Sequence, residues 1–397
     1  MIMAFAGQLL VSFSALAGDA YPINVGGGLQ LTPVIKLGFS HEDNIFHRQA
    51  HPKSSYITNI NPSFKLQAGR GPSTLSLTYS LDKMIFHESR VDDALKHLLV
   101  LKADKEFTRR LRGSFLASYN QNQNRRGTLY YGLKALVKSP YKYRQSKLHA
   151  SVSYGLRRRL KLSAQYMRRR YENNRYLTIT RDRDTMGADL SFSSFIAPKT
   201  FAVLEARYMR YDYLLKTALI NLNSVQQTYM VGLDWAATAK TSGSLRVGYQ
   251  TKHFSRSTNT ASRGLYESLS MRWSPRTYST ISLKTGYGLR ETNGMGTFIR
   301  NKHVSLSWKH QWTSRLRHTV SASYALNQYF GSNAYYGTAG LIRGGVYATT
   351  AARLRVDYRF LRWLSTGVGY SYLQRSSNIQ RVNYRENIFS INLQAVL

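Results

Sequence analysis

From residue 29 onward the chain alternates apolar and polar residues with a period of two, segment after segment. Leu75, Leu77, Tyr79 and Leu81 are separated by Ser76, Thr78 and Ser80. Leu162, Ala164 and Tyr166 alternate with Lys161, Ser163 and Gln165, and Leu354, Val356 and Tyr358 with Arg353, Arg355 and Asp357. Successive side chains of a strand point to opposite faces, so each segment carries one apolar and one polar face. Helical spacing does not reproduce these runs. Every such strand must keep its apolar face away from water, in a core or in lipid.

Eighteen segments of this kind can be counted. They lie near 30–40, 56–68, 73–85, 94–104, 111–120, 146–156, 160–170, 184–195 and 200–211. The others lie near 226–237, 243–254, 264–273, 278–290, 301–311, 316–328, 346–358, 363–374 and 385–397. Short connections such as Ala197-Pro198-Lys199 and Thr313-Ser314-Arg315 alternate with long polar ones such as 41–54, 121–145 and 330–345. Short turns at one end and long loops at the other is the layout of a transmembrane antiparallel outer-membrane β-barrel. Segment 128–138 also alternates; it is assigned to a long loop, because one more strand would break the even count. Counts from sixteen to twenty are compatible with the pattern.

Composition narrows the class further. There is no Cys, which excludes a disulfide scaffold and a cysteine-based zinc site. Aromatics make up 13%, with 29 Tyr, too many for a disordered basic chain. After residue 17 no apolar run approaches the roughly 20 residues of a spanning helix. A soluble propeller or solenoid would show a repeat, and none is visible. Tyr119, Tyr154, Tyr166, Tyr208, Trp235, Tyr249, Trp273, Trp308, Tyr324 and Tyr372 suit interfacial girdles better than a soluble core.

Three regions follow. Residues 1–17, MIMAFAGQLLVSFSALA, form a short apolar run ending in Ala15-Leu16-Ala17, the shape of a signal peptide, although no Lys or Arg precedes the run. Residues 18–28 read as a short periplasmic N-terminal segment, and 29–397 as a single transmembrane barrel. The last strand stops on its apolar face at Leu397, where such barrels commonly end in an aromatic residue.

The charge is extreme: 56 Lys+Arg against 20 Asp+Glu, or +36. If the apolar faces meet lipid, parity places Lys161, Arg207, Arg246, Arg272, Lys284, Arg290, Lys309, Arg353 and Arg355 on the lumen wall. Glu205, Asp234 and Asp357 are the clearest acids there. A confined wall of positive sign concentrates anions, so an anion-preferring pore is expected. The competing account is a structural lumen whose cations pair with carboxylates from folded-in loops. Basic residues at the short turns, including Arg157, Arg158, Arg276, Arg315 and Arg362, suit anionic lipid head groups. On the long-loop side Arg125, Arg126, Arg168, Arg169, Arg170, Arg181 and Arg183 suit lipopolysaccharide phosphates or an acidic polymer. Nucleic acid is not an expected partner, because the charge is spread over almost every strand and no recognition element is visible.

No catalytic, cofactor or metal site is expected. His41, Glu42, Asp43, His47 and His51 cluster in the first long loop, but their spacing matches no metal motif. The run Arg181-Asp182-Arg183-Asp184 reads as a self-satisfied charge cluster. His149, His310 and His318 stand alone on their strands, and no nucleophile elbow or H-E-x-x-H motif is present.

The opening LTPVIKLGFSHEDNIF, followed by PSFKLQAGRGPSTLSLTYS, resembles the start of the putative β-barrel porin 2 family of outer-membrane proteins. Glu42-Asp43-Asn44-Ile45-Phe46 is similar to that family's acid-acid-Asn-hydrophobic-aromatic element. Tyr171-Glu172-Asn173-Asn174-Arg175, Arg181-Asp182-Arg183-Asp184, Ala197-Pro198-Lys199-Thr200 and Glu205-Ala206-Arg207 extend the likeness. Members are often encoded with exopolysaccharide or capsule synthesis genes. The resemblance therefore implies polysaccharide export or surface-polymer handling in a Gram-negative outer membrane; taken with the positive lumen and the missing catalytic motifs, the expectation is a non-enzymatic channel for an acidic exopolysaccharide. It would be in contact with outer-membrane lipid, lipopolysaccharide and periplasmic export proteins. A scaffold barrel docking export proteins through its basic turns is the second reading, and an outer-membrane hydrolase a distant third.

Overall fold

The computed structural model describes residues 22–69, 71–126, 138–173, 178–217, 221–236, 240–256, 259, 261–292, 296–331, 345–378 and 382–396. They form nineteen strands in one antiparallel sheet. β1 (Ile23–Gly26) is a short arm that turns back through glycines at positive φ to pair with the start of β2 (Leu29–Glu42), so the 18–28 segment contains a strand of its own. Eighteen long strands follow and close on themselves. They are β2, β3 (Ser55–Ala68), β4 (Thr74–Phe86), β5 (Ala94–Glu106), β6 (Leu111–Asn124), β7 (Tyr141–Tyr154), β8 (Arg158–Tyr171), β9 (Arg183–Ala197) and β10 (Thr200–Tyr213). Then come β11 (Ser224–Trp235), β12 (Thr241–Phe254), β13 (Ser262–Arg276), β14 (Ser279–Glu291), β15 (Phe298–Gln311), β16 (Leu316–Phe330), β17 (Val346–Arg359), β18 (Leu364–Ser377) and β19 (Tyr384–Val396). Each pairs with its sequence neighbour, and β19 pairs with β2 from Ile388↔Glu42 to Val396↔Val34. Segment 128–138, apart from Lys138, lies outside the described residues.

Contacts that skip a strand identify the concave face. Gln165 of β8 reaches Met209 Sδ of β10 across Gly187, at 3.1 Å. Arg246 of β12 reaches Glu205 of β10, and Gln250 of β12 accepts the Leu289 N–H of β14. Only side chains pointing into a closed barrel converge in this way. The other face carries the aliphatic side chains. Leu162, Leu204 and Val231 are 57–58% exposed there, far more apolar surface than water tolerates in one continuous belt, and what a lipid-facing belt requires.

Tyrosines mark one edge of the belt. In β6, β8, β10, β12, β16 and β18, which all rise from short turns, Tyr119, Tyr166, Tyr208, Tyr249, Tyr324 and Tyr372 each occupy the ninth position. Eight steps of about 3.3 Å separate that ring from the short turns, and a strand tilt near 40° brings the height close to a barrel's apolar band of roughly 25 Å. Tyr154, Trp235, Trp273 and Trp308 lie nearer the turns and form the other ring.

Side chains carry the seam above its last ladder pair. Asp43 accepts the backbone N–H of Asn387 at 2.8 Å and its amide at 2.6 Å. Asn44 donates to the Arg385 carbonyl at 2.8 Å, and His47 Nε2 lies 3.2 Å from Glu386. Ile45 and Phe46 are buried against Ile57 and Phe86. The Glu42–Phe46 element is therefore the latch that fastens the first long strand to the last. In β3, Pro62 has no N–H for the ladder, and the Asn61 amide donates to the Leu81 carbonyl beside it.

Candidate functional site: the inner wall

Ladder register puts Lys161, Arg207, Arg246, Arg272, Lys284, Arg290, Lys309, Arg353 and Arg355 on one face, the concave one. Lys161 pairs with Ser191, which pairs with Glu205; Arg272 pairs with Ser282, and Lys309 with Thr319 and through it Arg355. The wall is not uniform around its circumference.

From β9 to β12 the charges answer one another. Arg207 bridges Asp189 and Glu205, the latter at 2.7 Å. Arg246 joins Glu205 at 3.3 Å and grips both oxygens of Asp234, at 2.8 and 3.1 Å. Two cations and three carboxylates thus form one half-buried chain. The carboxylates that neutralise these cations come from neighbouring strands rather than from folded-in loops. Asp189 escaped the list of lumen acids above, although parity alone places it opposite Leu190.

From β13 to β18 the balance is reversed. The inner face carries Arg272, Lys284, Arg290, Lys309, Arg317, Arg353, Arg355 and Arg375. Among the described residues two carboxylates reach it: Glu291, at the rim, is held by Lys252 of β12, and Asp357, 1% exposed, holds Arg355 at 2.6 Å and Arg317 at 3.5 Å. Among the described residues Arg353 is tied only to a hydroxyl, Ser371 Oγ, at 3.0 Å. Among the described residues, Lys161, Arg272, Lys284 and Lys309 have no carboxylate within ion-pair distance. Small hydroxyls fill the space between the cations. One ladder row runs Arg272, Ser282, Ser307, Ser321, Arg353, Ser371, and the next carries Lys284, Ser305 and Ser323. Gly367 leaves room for the guanidinium of Arg355, whose Nη2 lies 2.8 Å from where a Gly367 Cβ would stand.

At the long-loop rim, charges that sequence reading did not connect are brought together. Arg125 meets Glu42 through both of its terminal nitrogens and Glu386 at 3.6 Å. Burial opposes the charge of Arg125, but the two carboxylates outweigh it and hold its pKa above the ordinary arginine value. Arg126 binds Asp92 and lies 4.3 Å from the centre of the Phe46 ring. Lys252, fully buried, binds Glu291, which also accepts the Tyr213 hydroxyl at 2.6 Å.

The first-loop histidines and acids do not converge on a metal, and no three potential ligands are grouped among the described residues. His41 packs on Tyr56, while Glu42, Asp43 and His47 all serve the seam. The Arg181–Asp184 run divides instead of forming one cluster. Arg181 lies over Tyr141 and Tyr171, Arg183 over Tyr213, and Asp184 binds Arg168 and Arg170 on the outer face. His310 and His318, solitary in sequence, are direct cross-strand partners with ring centroids 5.6 Å apart. They face outward beside Trp308 and Trp312, in the aromatic ring near the short turns.

Residues 19–396 match the family described as putative beta-barrel porin 2. Among curated proteins, none matches the sequence. The fold is similar to the FrpB iron transporter from Neisseria meningitidis (F3-3 variant), with 10% identity, 88% of this chain and 63% of that chain covered, and a TM-score of 0.48. This chain thus spans slightly less than two thirds of that one. It is also similar to the siderophore receptor PirA from Acinetobacter baumannii, with 8% identity, 92% and 80% covered, and a TM-score of 0.47. The ferric citrate transporter FecA in its unliganded form gives 10% identity, 92% and 64% covered, and a TM-score of 0.46.

Proposed function

Since the chain belongs to the putative beta-barrel porin 2 family, and so to the outer-membrane barrels, we propose that it is a non-enzymatic, anion-preferring channel that passes an acidic polysaccharide across the outer membrane of a Gram-negative bacterium. The observation that carries this reading is the β13–β18 wall, where, among the described residues, eight cations face Asp357 and a Glu291 already held by Lys252 of β12, and rows of serine separate them. Eighteen strands make a barrel wide enough for water. Fixed positive charge on a confined wall raises the anion concentration beside it. The planar fork of arginine suits carboxylate groups, and serine hydroxyls suit the neutral hydroxyls of a sugar. The cross-strand histidine pair faces lipid, which leaves it no part in chemistry on a lumen substrate.

Planar-bilayer recording tests the proposal. The purified protein should conduct, and an acidic oligosaccharide such as oligogalacturonate should block the current at lower concentration than a neutral maltooligosaccharide of equal length. Equal block by both would remove the acidic-polymer reading. Almost no current would favour a scaffold barrel that docks export proteins through its basic turns.

A further inference from the structure

We propose that the outer face of β7–β10, just above the lipid belt, is a binding site for the phosphates of lipid A, the phosphorylated glycolipid of the outer leaflet. The inference needs only the outer-membrane location and is independent of what the lumen carries. Arg168 and Arg210 occupy the eleventh position of β8 and β10, one outward step beyond the ring tyrosines Tyr166 and Tyr208. Arg144 stands at the eleventh position of β7, counted up from the short turn at Tyr154. Their side chains are 56–59% exposed. At the same level of other rising strands the outward residue is Gln121, Thr251, Leu326 or Gln374. Outward basic residues recur singly at this level on descending strands, as Arg263, Lys302 and Arg385, but among the described residues only β7–β10 gathers three arginines there within four neighbouring strands.

The sector is also short of carboxylates. Lys142, Arg144, Arg168, Arg170 and Arg210 share Glu172, Asp184 and Asp212, with Asp184 serving both Arg168 at 3.2 Å and Arg170 at 2.8 Å. Arg144 lies directly opposite Arg170 in the ladder, a like-charge pair that costs stability unless an anion sits between its members. The long-loop end of an outer-membrane barrel faces the cell exterior, so this sector meets the phosphorylated head-group layer. Guanidinium groups at that height meet phosphate oxygens bidentately, where a neutral lipid head group would leave five cations to three carboxylates.

The test uses the full protein in detergent micelles, titrated by native mass spectrometry with hexa-acyl lipid A carrying both phosphates or with the same lipid stripped of them. The phosphorylated form should bind at least about tenfold more tightly, the worth of one charge-assisted hydrogen bond. Replacing three exposed arginines together (Arg144→Gln, Arg168→Gln, Arg210→Gln) should bring the two affinities to within about twofold. An outward basic pair in a different sector, changed by Arg300→Gln and Lys302→Gln, should leave the preference intact. Equal binding of both lipids by the wild-type protein overturns the proposal whether or not the triple variant folds. Loss of preference in the Arg300/Lys302 variant alone overturns the location. Conductance of the triple variant, read in parallel, keeps this result separate from the channel reading.

Discussion

Glu42 and Arg125 stand 83 residues apart and meet as a two-pronged ion pair at the long-loop rim, the guanidinium giving one N–H to each carboxylate oxygen. The pair sits directly above the seam, since Glu42 is the last β2 residue that the ladder joins to β19. A barrel's seam is the one strand pair that sequence proximity does not help to form. Its ends lie far apart in the chain, so their closure carries the largest entropic cost. Asp43, Asn44 and His47 continue the seam with side-chain bonds, and Arg125 draws Glu42 and Glu386 to one cation.

Arg125→Met should therefore destabilise the barrel by about 3 kcal/mol, the low end for removing one partner of a buried pair. Glu42 would be left almost wholly buried and without its main cation, while the partial exposure of Arg125 keeps the loss from being larger. The urea midpoint of heat-modifiable gel migration reads this directly. An unchanged midpoint would show that the backbone ladder alone holds the seam.

The β9–β12 charge chain predicts a contrast within the inner wall. Arg207→Met leaves Asp189 and Glu205 adjacent with one bridging cation gone, and should cost about 3 kcal/mol. Arg353→Gln gives up a single hydroxyl partner and should cost no more than about 1 kcal/mol. Equal losses in the same denaturation assay would contradict the division of the wall into a charge-balanced and a cation-rich sector.

A third expectation concerns the space around Asp357. A Cβ at Gly367 would stand 2.5 Å from Asp357 Oδ1 and 2.8 Å from Arg355 Nη2. Gly367→Ala should force the pair apart and cost about 1 to 3 kcal/mol as an overpacked site. Gly264→Ala, where nothing lies within 4 Å, should be close to neutral in the same measurement.

Much of the fold was legible because lipid imposes a strict rule on each strand. Within the belt every second residue must be apolar, so the eighteen segments and the faces of their residues could be read directly. Above the tyrosine ring that rule lapses. Gln121 to Asn124 and Tyr141 to Gln145 read as loop, yet they extend β6 and β7 by pure backbone pairing, with no lipid to enforce alternation. Pairings between strands were not legible, because parity gives the face of a residue but not its height on the neighbouring strand. That is why His310 and His318 passed as solitary, and why Glu42 could not be matched to Arg125. Asp189 was within reach of parity, and its pairing with Arg207 changes how much of the positive wall stays unanswered.

The last expectation concerns selectivity, and the wall's asymmetry decides which residues should report it. Asp357 already holds Arg355, so reversing Arg353 and Arg355 together would set two new carboxylates around a buried one and confuse charge with folding. Lys284 and Arg353 are cleaner, since neither is engaged by a carboxylate among the described residues. Reversal potentials across a salt gradient should show anion preference in the wild-type channel. That preference should fade as the screening length falls from about 10 Å at 0.1 M to about 3 Å at 1 M salt. Lys284→Glu with Arg353→Glu removes two positive charges and adds two negative ones on the same strip, and should move the reversal potential toward cations. Cation preference in the wild type would mean that carboxylates outside this strip control the constriction. Anion preference untouched by the double change would place the narrow point away from β14 and β17.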